Sequence, residues 1–309
     1  MKRFLFQRTI SVIITIWVII TLTFFLMHAI PGDPFTNESR VPEQVISNLK
    51  AHYGLDQPLI IQYFNYLKGV ITFDFGPSIT SDTRDVNELI LDSFPVSALL
   101  GFQALVIATV FGILLGITAA VNHSGLGDYV SMLLAILGIS VPSFILATLL
   151  INVFALKLEW LPVATWGTWQ HTVLPSIALA LGPMAYMARL TRSSILEVID
   201  SDYVQTAIAK GVTGSRLIFK HILRNALIPI VTILGPIAAG ILTGSFVIEQ
   251  IFGIPGLGKY FVQSITDRDY PVILGTAVFY SSILVFFMIL VDIAYGIIDP
   301  RIKLTRRES

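Results

Sequence analysis

The sequence predicts an all-α, polytopic membrane protein with six transmembrane helices. Of its 309 residues, 54% are hydrophobic and only 13% are charged, whereas soluble domains carry about 25% charged residues. Each bilayer crossing needs about 20 apolar residues, and six runs approach or exceed that length. We therefore expect a single membrane domain over residues 1–309, with spans at about 10–29, 96–121, 130–156, 172–190, 227–250 and 272–297.

The first run follows Met1-Lys2-Arg3, a basic start that also introduces secretory signals. A signal has an apolar core of about 7–15 residues, and this run is longer, so we expect it to be the first spanning helix. The fourth run is the weakest because Pro175 and Pro183 lie within it. Small residues four apart let helix backbones approach closely, and two runs contain such pairs, at Gly112 and Gly116 and at Gly240 and Gly244.

Lysine and arginine indicate the orientation, because they are retained on the cytoplasmic side of the membrane. They concentrate in the first eight residues, between Arg189 and Arg224, and after Pro300. Six crossings place these three segments together, so we expect both termini and the loop at 191–226 to be cytoplasmic.

The long loop at 31–95 is then exterior. Apolar residues recur in it at helical spacing after Pro58, at Leu59, Ile60, Phe64, Leu67 and Ile71. This pattern predicts short helices on the outer membrane surface, with Tyr53, Tyr63 and Tyr66 near the headgroups. The loop serves either as an interfacial anchor or as a docking surface for an external partner.

The loop at 191–226 has the signals of a short, well-formed helix. Asp202 can cap a helix that begins at Tyr203, and Gln205 can complete a capping-box-like pair. Gly211 is placed to end this helix, after Lys210 in its last turn.

The end of this predicted helix has little side-chain bulk, because it carries Ala207, Ala209 and Gly211. Another protein surface could therefore approach its backbone closely. A second helix is expected after residues 213–215, with basic residues four apart at Arg216, Lys220 and Arg224. These cations contact either a partner or lipid headgroups.

Several other chemistries lack support. Residues 253–260 nearly spell a phosphate loop, but Tyr260 replaces its hydroxyl residue and no strand leads into it, so we expect a glycine turn. The chain has no cysteine, no H-E-x-x-H and no G-x-S-x-G, and its five histidines fall in separate segments. Glu249 and Asp292 lie near span ends, where hydration lowers the cost of a charge, so we expect no midplane proton or sodium site.

Five segments together resemble a known family. Residues 206–211 (TAIAKG) and 221–229 (HILRNALIP) are similar to the E-A-A-x3-G loop of binding-protein-dependent ABC importer permeases in its peptide and nickel form. Gln205-Thr206-Ala207 departs from the usual Glu-Ala-Ala start. The other four are residues 31–34 (PGDP), 53–58 (YGLDQP), 249–258 (EQIFGIPGLG) with 268–271 (RDYP), and 299–301 (DPR). The early segments resemble the B-type permeases of oligopeptide and dipeptide systems.

The resemblance implies a type I importer transmembrane domain with a cytoplasmic coupling helix. Two homologous permeases form the pore, two ATPases use ATP and magnesium, and an external binding protein delivers the peptide. This chain would be no enzyme and would bind no cofactor, metal or nucleic acid. The implied ATPase-coupling residues are Tyr203, Thr206, Ala207, Ala209, Lys210, Gly211 and Arg216. An outer gate or binding-protein dock would use Asp74, Phe75, Gly76, Pro255, Gly256 and Gly258.

The substrate and the transport class retain alternatives. Oligopeptides are the first expectation, and nickel, glutathione or another small solute carried by the same architecture is the second. A stand-alone secondary carrier is the main rival from another class, and a membrane enzyme is a distant third.

Overall fold

The computed structural model describes residues 2–29, 35, 43–81, 84–242 and 246–298. These ranges are helical apart from turns and one isolated antiparallel bridge between Pro77 and Asp85. The helices are α1 (Lys2–Ala29), α2 (Glu43–His52), α3 (Leu59–Thr72), α4 (Val86–Val121), α5 (Leu126–Ser140), α6 (Ser143–Leu150), α7 (Gln170–Ile199), α8 (Asp202–Ala209), α9 (Gly214–Leu217), α10 (Leu223–Ala226), α11 (Ile228–Leu242), α12 (Phe246–Ile251), α13 (Leu257–Asp267) and α14 (Tyr270–Ile298). Two π-helical segments, Ile151–Lys157 and Ile218–Ile222, follow α6 and α9.

The predicted spans correspond to these helices. In the described ranges, four helices are long and apolar enough to cross a membrane, and two bent pairs bring the number to six if each pair is one span. The first of the four, Ile10–Ala29, has the predicted bounds. Helix α4 begins ten residues before the second apolar run and continues through Pro95. The all-helical fold class is confirmed.

The third predicted span is bent rather than continuous. Residues Leu126–Ser140 and Ser143–Lys157 meet at an angle of 106°. Val141, the last residue before Pro142, has an extended backbone, because a residue before proline disfavours the helical conformation. Helix α6 begins directly after Pro142. The fifth predicted span, at about 227–250, begins at a 47° bend between Ile218–Ala226 and Ile228–Leu242, and its residues 243–245 lie outside the described ranges.

Helix α7, which contains the weakest predicted span, is continuous for 30 residues with both prolines inside it. The clustering of contacts divides the chain into two compact units, and α7 lies in the second, which comprises residues 98–254 and 286–309. Twelve residues of α7 are buried. Tertiary packing therefore overrides the low helix propensity of proline.

Two glycines of α4 allow close packing of α7 within the second unit. A methyl group on Gly112 would lie 2.8 Å from the Met184 carbonyl oxygen, and one on Gly116 would lie 2.5 Å from Thr191 Cβ. The packing role predicted for this pair is confirmed. It does not extend to Gly240, where a methyl group would meet no atom within 4 Å, and Gly244 lies outside the described residues.

The first unit comprises residues 1–97 and 255–285. One core cluster joins α1, α3 and the start of α14 through Phe24, Met27, Tyr63, Tyr270, Ile273 and Leu274. Another joins the start of α4 with α13 and α14 through Val86, Leu89, Ile90, Leu257 and Val272. Helices α2 and α3 confirm that the loop at 31–95 contains short helices.

Candidate ATPase-coupling site

Helix α8 begins one residue earlier than the sequence predicts. Ser201 is extended and its carbonyl accepts the amide hydrogens of Val204 and Gln205, so Ser201 occupies the capping position. Asp202 is the first helical residue, where its negative charge interacts favourably with the helix dipole. The predicted Asp202 cap and capping box are therefore wrong, since no side chain caps the helix and the side-chain Nε2 of Gln205 donates to the Ile199 carbonyl at 3.0 Å.

The end of α8 is formed as predicted. Gly211 has a φ of +81°, in the left-handed region that glycine adopts without strain. Its amide donates to the Ile208 carbonyl at 2.8 Å, and the Val212 amide donates to the Ala207 carbonyl at 3.1 Å. These two bonds form a Schellman motif, which satisfies the last carbonyl groups of the helix.

One face of α8 packs inward. Val204 and Ala207 are buried, and Val204 belongs to a cluster with Ala120, Ile195, Ile222, Leu223 and Ala226. This cluster joins α8 to the end of α4, to α7 and to α10. Ala207 therefore lies on the packed face, although the sequence analysis placed it on the surface available to a partner.

The opposite face of α8 is exposed and partly apolar. Tyr203 and Ile208 are 42% and 41% exposed, and the remaining predicted contact residues Thr206, Ala209, Lys210 and Gly211 are also exposed. A side chain added at Gly211 would meet no atom within 4 Å. The structure thus brings six of the seven predicted coupling residues to the accessible surface of this loop, since Arg216 is exposed as well.

Tyr203 is held by the second part of the loop. Its hydroxyl accepts a hydrogen bond from the side-chain Nδ2 of Asn225 at 2.7 Å and donates to the His221 carbonyl at 3.4 Å. This second part is not one helix, because a π-helical segment separates α9 from α10. The segment exposes 70% of Phe219, which sequence reasoning did not identify because a lone phenylalanine in a basic stretch has no distinguishing pattern.

An ion pair at the base of the loop was also missed. Arg192 on α7 donates to both carboxylate oxygens of Asp128, at 2.6 and 2.7 Å. Asp128 is buried at the start of α5, where it also accepts the Ser124 amide hydrogen at 3.0 Å. A separation of 64 residues leaves no local signal of this contact. The pair ties α5 to α7 ten residues before α8 begins.

The residues of the other predicted site lie in the first unit, which also contains the buried Asp269. This buried carboxylate accepts hydrogen bonds from the hydroxyls of Ser78 and Thr80 and from the Thr80 and Val272 amides. It thereby fixes the loop after α3 to the first turn of α14. The sequence analysis did not predict this contact, because Thr80 and Asp269 are 189 residues apart in the chain.

The six residues predicted for an outer gate differ in accessibility. Asp74 and Pro255 are exposed, whereas Phe75 and Gly76 are half-buried. Gly256 and Gly258 are buried, and the Leu257 amide between them donates to Ser97 Oγ at 2.9 Å. This segment forms the predicted glycine turn and the start of α13.

Glu249 is completely buried, so the prediction that its charge lies in a hydrated environment near the span end is wrong.

Comparison with known proteins identifies the family. Residues 112–304 match the binding-protein-dependent transport system inner membrane component, and residues 1–101 match the N-terminal region of such membrane components. The chain belongs to this family. The binding-protein-dependent transport component described here is therefore a multi-pass protein of the inner membrane.

Relatives of this transport component match over its whole length. It is 57% identical to the dipeptide transport system permease protein DppB of Bacillus subtilis (strain 168), over 99% of this chain and 100% of that protein. It is 43% identical to the oligopeptide transport system permease protein OppB of Haemophilus influenzae, over 98% of this chain and 100% of that protein. These matches confirm the predicted importer permease and its role as a membrane subunit rather than an enzyme.

Solved structures confirm the fold of the transport component. An amino acid ABC transporter matches 67% of this chain and 92% of its own, with a TM-score of 0.54 and 20% identity. An inward-facing MetNI methionine ABC transporter matches 71% and 97%, with a TM-score of 0.51 and 18% identity.

Proposed function

We propose that this permease imports peptides that an external binding protein delivers. The substrate class rests on relatives that are named dipeptide and oligopeptide permeases and that match over the whole chain. A second, homologous permease would complete the pore, and two partner ATPases would use ATP and magnesium. Both termini and the loop at 191–226 would lie in the cytoplasm, as the distribution of lysine and arginine predicts.

The exposed face of α8 is the proposed contact with an ATPase. The observation that carries this assignment is the left-handed Gly211 at the end of a helix that is apolar and accessible on one face. Tyr203 and Ile208 would provide apolar contact area, and Gly211 would let the ATPase approach the backbone. Phe219 on the neighbouring π-helical segment is a further exposed apolar residue of the same loop.

The packed face of α8 would transmit the movement of the ATPases. Val204 lies in one buried cluster with Ile195 of α7 and Ala120 of α4, so a displacement of α8 would be transferred to both helices through this cluster. The Arg192–Asp128 pair would extend the rigid body to α5. Rigid-body motion of packed helices is a recurrent way to switch between two states.

Uptake by the reconstituted complex tests this function. Proteoliposomes with both permeases, both ATPases and the binding protein should accumulate a labelled dipeptide or tripeptide only with internal ATP, and vanadate should stop the uptake. Unlabelled peptide should compete, whereas nickel ions and glutathione should not. Uptake that continues without ATPases would instead support a secondary carrier, and competition by nickel or glutathione alone would support the second substrate class.

A further inference from the structure

Helix α3 has an apolar side that is largely exposed within the first unit, although Leu67 on this side is partly buried against the core. Ile60, Phe64 and Ile71 fall on one side of the helix, and they are 56%, 62% and 78% exposed. The opposite side carries Gln62 and Tyr66, which face α1 and α14. A helix on the outer surface of a membrane would bury such an apolar face about 5–10 Å into the boundary between headgroups and acyl chains.

The contacts with α1 place α3 deeper than that. The Tyr63 hydroxyl lies 2.7 Å from Thr21 Oγ1, and the Tyr63 ring stacks on Phe25 with 5.6 Å between ring centres. Tyr66 stacks on Phe24 at 5.8 Å. Helix α3 therefore packs along the last two turns or more of α1, rather than only beside its end.

The length of α1 converts these contacts into a depth. The apolar segment Ile10–Ala29 has 20 residues, which is about 30 Å and matches the hydrocarbon core. Phe25 and Phe24 lie about 6–8 Å inward from Ala29 along the helix, and Thr21 lies about 12 Å inward. The aromatic side of α3 is thus at the level of the outer acyl chains.

The neighbouring surface of α1 has the same character. On the stripe that α3 covers, Trp17 and Ile14 come one and two turns further inward, and they are half-exposed. Leu22 and Leu26, on another side of α1, are also exposed. The apolar face of α3 continues this membrane-facing surface. Lys68, the one charged residue of α3, is exposed and can extend its ammonium group to the headgroups.

We propose that α3 is immersed in the outer leaflet and that Ile60, Phe64 and Ile71 contact lipid acyl chains. It is then a short intramembrane helix and not the surface-lying helix that the sequence pattern suggested. The difference arises because periodicity shows that a face is apolar but does not show its depth. The inference does not depend on which substrate the permease carries.

Single-cysteine spin labelling tests this placement, because the chain has no cysteine of its own. The assembled complex in lipid nanodiscs would carry F64C or I71C, with L22C on α1 as the lipid-facing control and D56C before α3 as the water-facing control. Both test sites are exposed, so the labels should not disturb folding. Accessibility to oxygen and to a water-soluble nickel chelate is measured at each site.

The labels at residues 64 and 71 should show a severalfold higher ratio of oxygen to nickel accessibility than D56C, close to that of L22C. Nickel accessibility equal to that of D56C would overturn the proposal in favour of a water-exposed surface helix. Low accessibility to both reagents would overturn it in favour of a protein partner that covers this face.

Discussion

Substitution of Gly211 separates contact with an ATPase from backbone strain. The residue has a φ of +81° and open space around it, so any side chain is strained but meets nothing within this chain. The left-handed conformation costs about 1–2 kcal/mol for most residues, and aspartate adopts it more readily than alanine. Strain alone therefore makes Gly211→Ala at least as harmful as Gly211→Asp.

Contact with an ATPase gives the opposite order. The larger aspartate side chain would overpack a close interface, which costs about 1–3 kcal/mol of binding free energy. This cost corresponds to about five- to 150-fold weaker binding. Gly211→Asp should therefore insert normally into the membrane but lose ATPase binding and peptide-stimulated ATP hydrolysis, with Gly211→Ala affected less. Both are measured on the purified complex, by subunit recovery and by phosphate release.

A matched control is available in the loop predicted to be exterior. Gly76 has a φ of +78° and no atom within 4 Å of an added methyl group, so Gly76→Asp imposes the same kind of strain in the first unit. It should leave ATPase binding unchanged. The reasoning is refuted if Gly211→Asp keeps normal peptide-stimulated hydrolysis, or if the alanine variant is as defective as the aspartate variant.

Three further pairs of variants test the packing. Arg192→Ala leaves the buried Asp128 carboxylate without its arginine partner, although His123 and the Ser124 amide remain beside it, so it should lower the free energy of unfolding by about 3 kcal/mol, the lower end for a broken buried pair; Asp128→Asn combined with Arg192→Gln should recover part of this in chemical denaturation. Asp269→Ala leaves several donors without their acceptor and should cost about 3 kcal/mol, with faster proteolysis of the loop at 74–81; Asp269→Asn should cost less. Gly116→Ala should lower the melting temperature, whereas Gly240→Ala should not.

The sequence predicted the elements better than their contacts. Apolar runs located the spans because bilayer crossing imposes a minimum length, and Gly211 located the end of α8 because a left-handed residue is needed there. The fold class and the glycine packing at Gly112 and Gly116 followed from such local constraints, whereas the importer family followed from the resemblance of five sequence segments to its known members.

What the sequence did not reveal depends on long-range contacts. The partners of Asp128 and Asp269 are distant in the chain, and no local motif around either residue indicates which residue it will contact. The inward orientation of Ala207 depends on the helices beneath α8. The bend at Val141 was foreseeable from the following proline, whereas the two prolines within α7 leave that helix continuous because its packing offsets their cost.

Site-specific cross-linking tests the central claim most directly, namely that the ATPases act on this permease through α8. The absence of cysteine allows single-cysteine variants at Ile208, on the exposed face of α8, and at Trp169, an exposed residue predicted to lie on the other side of the membrane. In the active complex, a short bifunctional reagent should join Ile208→Cys to an ATPase and should leave Trp169→Cys without that product. An ATPase adduct at Trp169→Cys, or none at Ile208→Cys in a complex that hydrolyses ATP, would contradict the account.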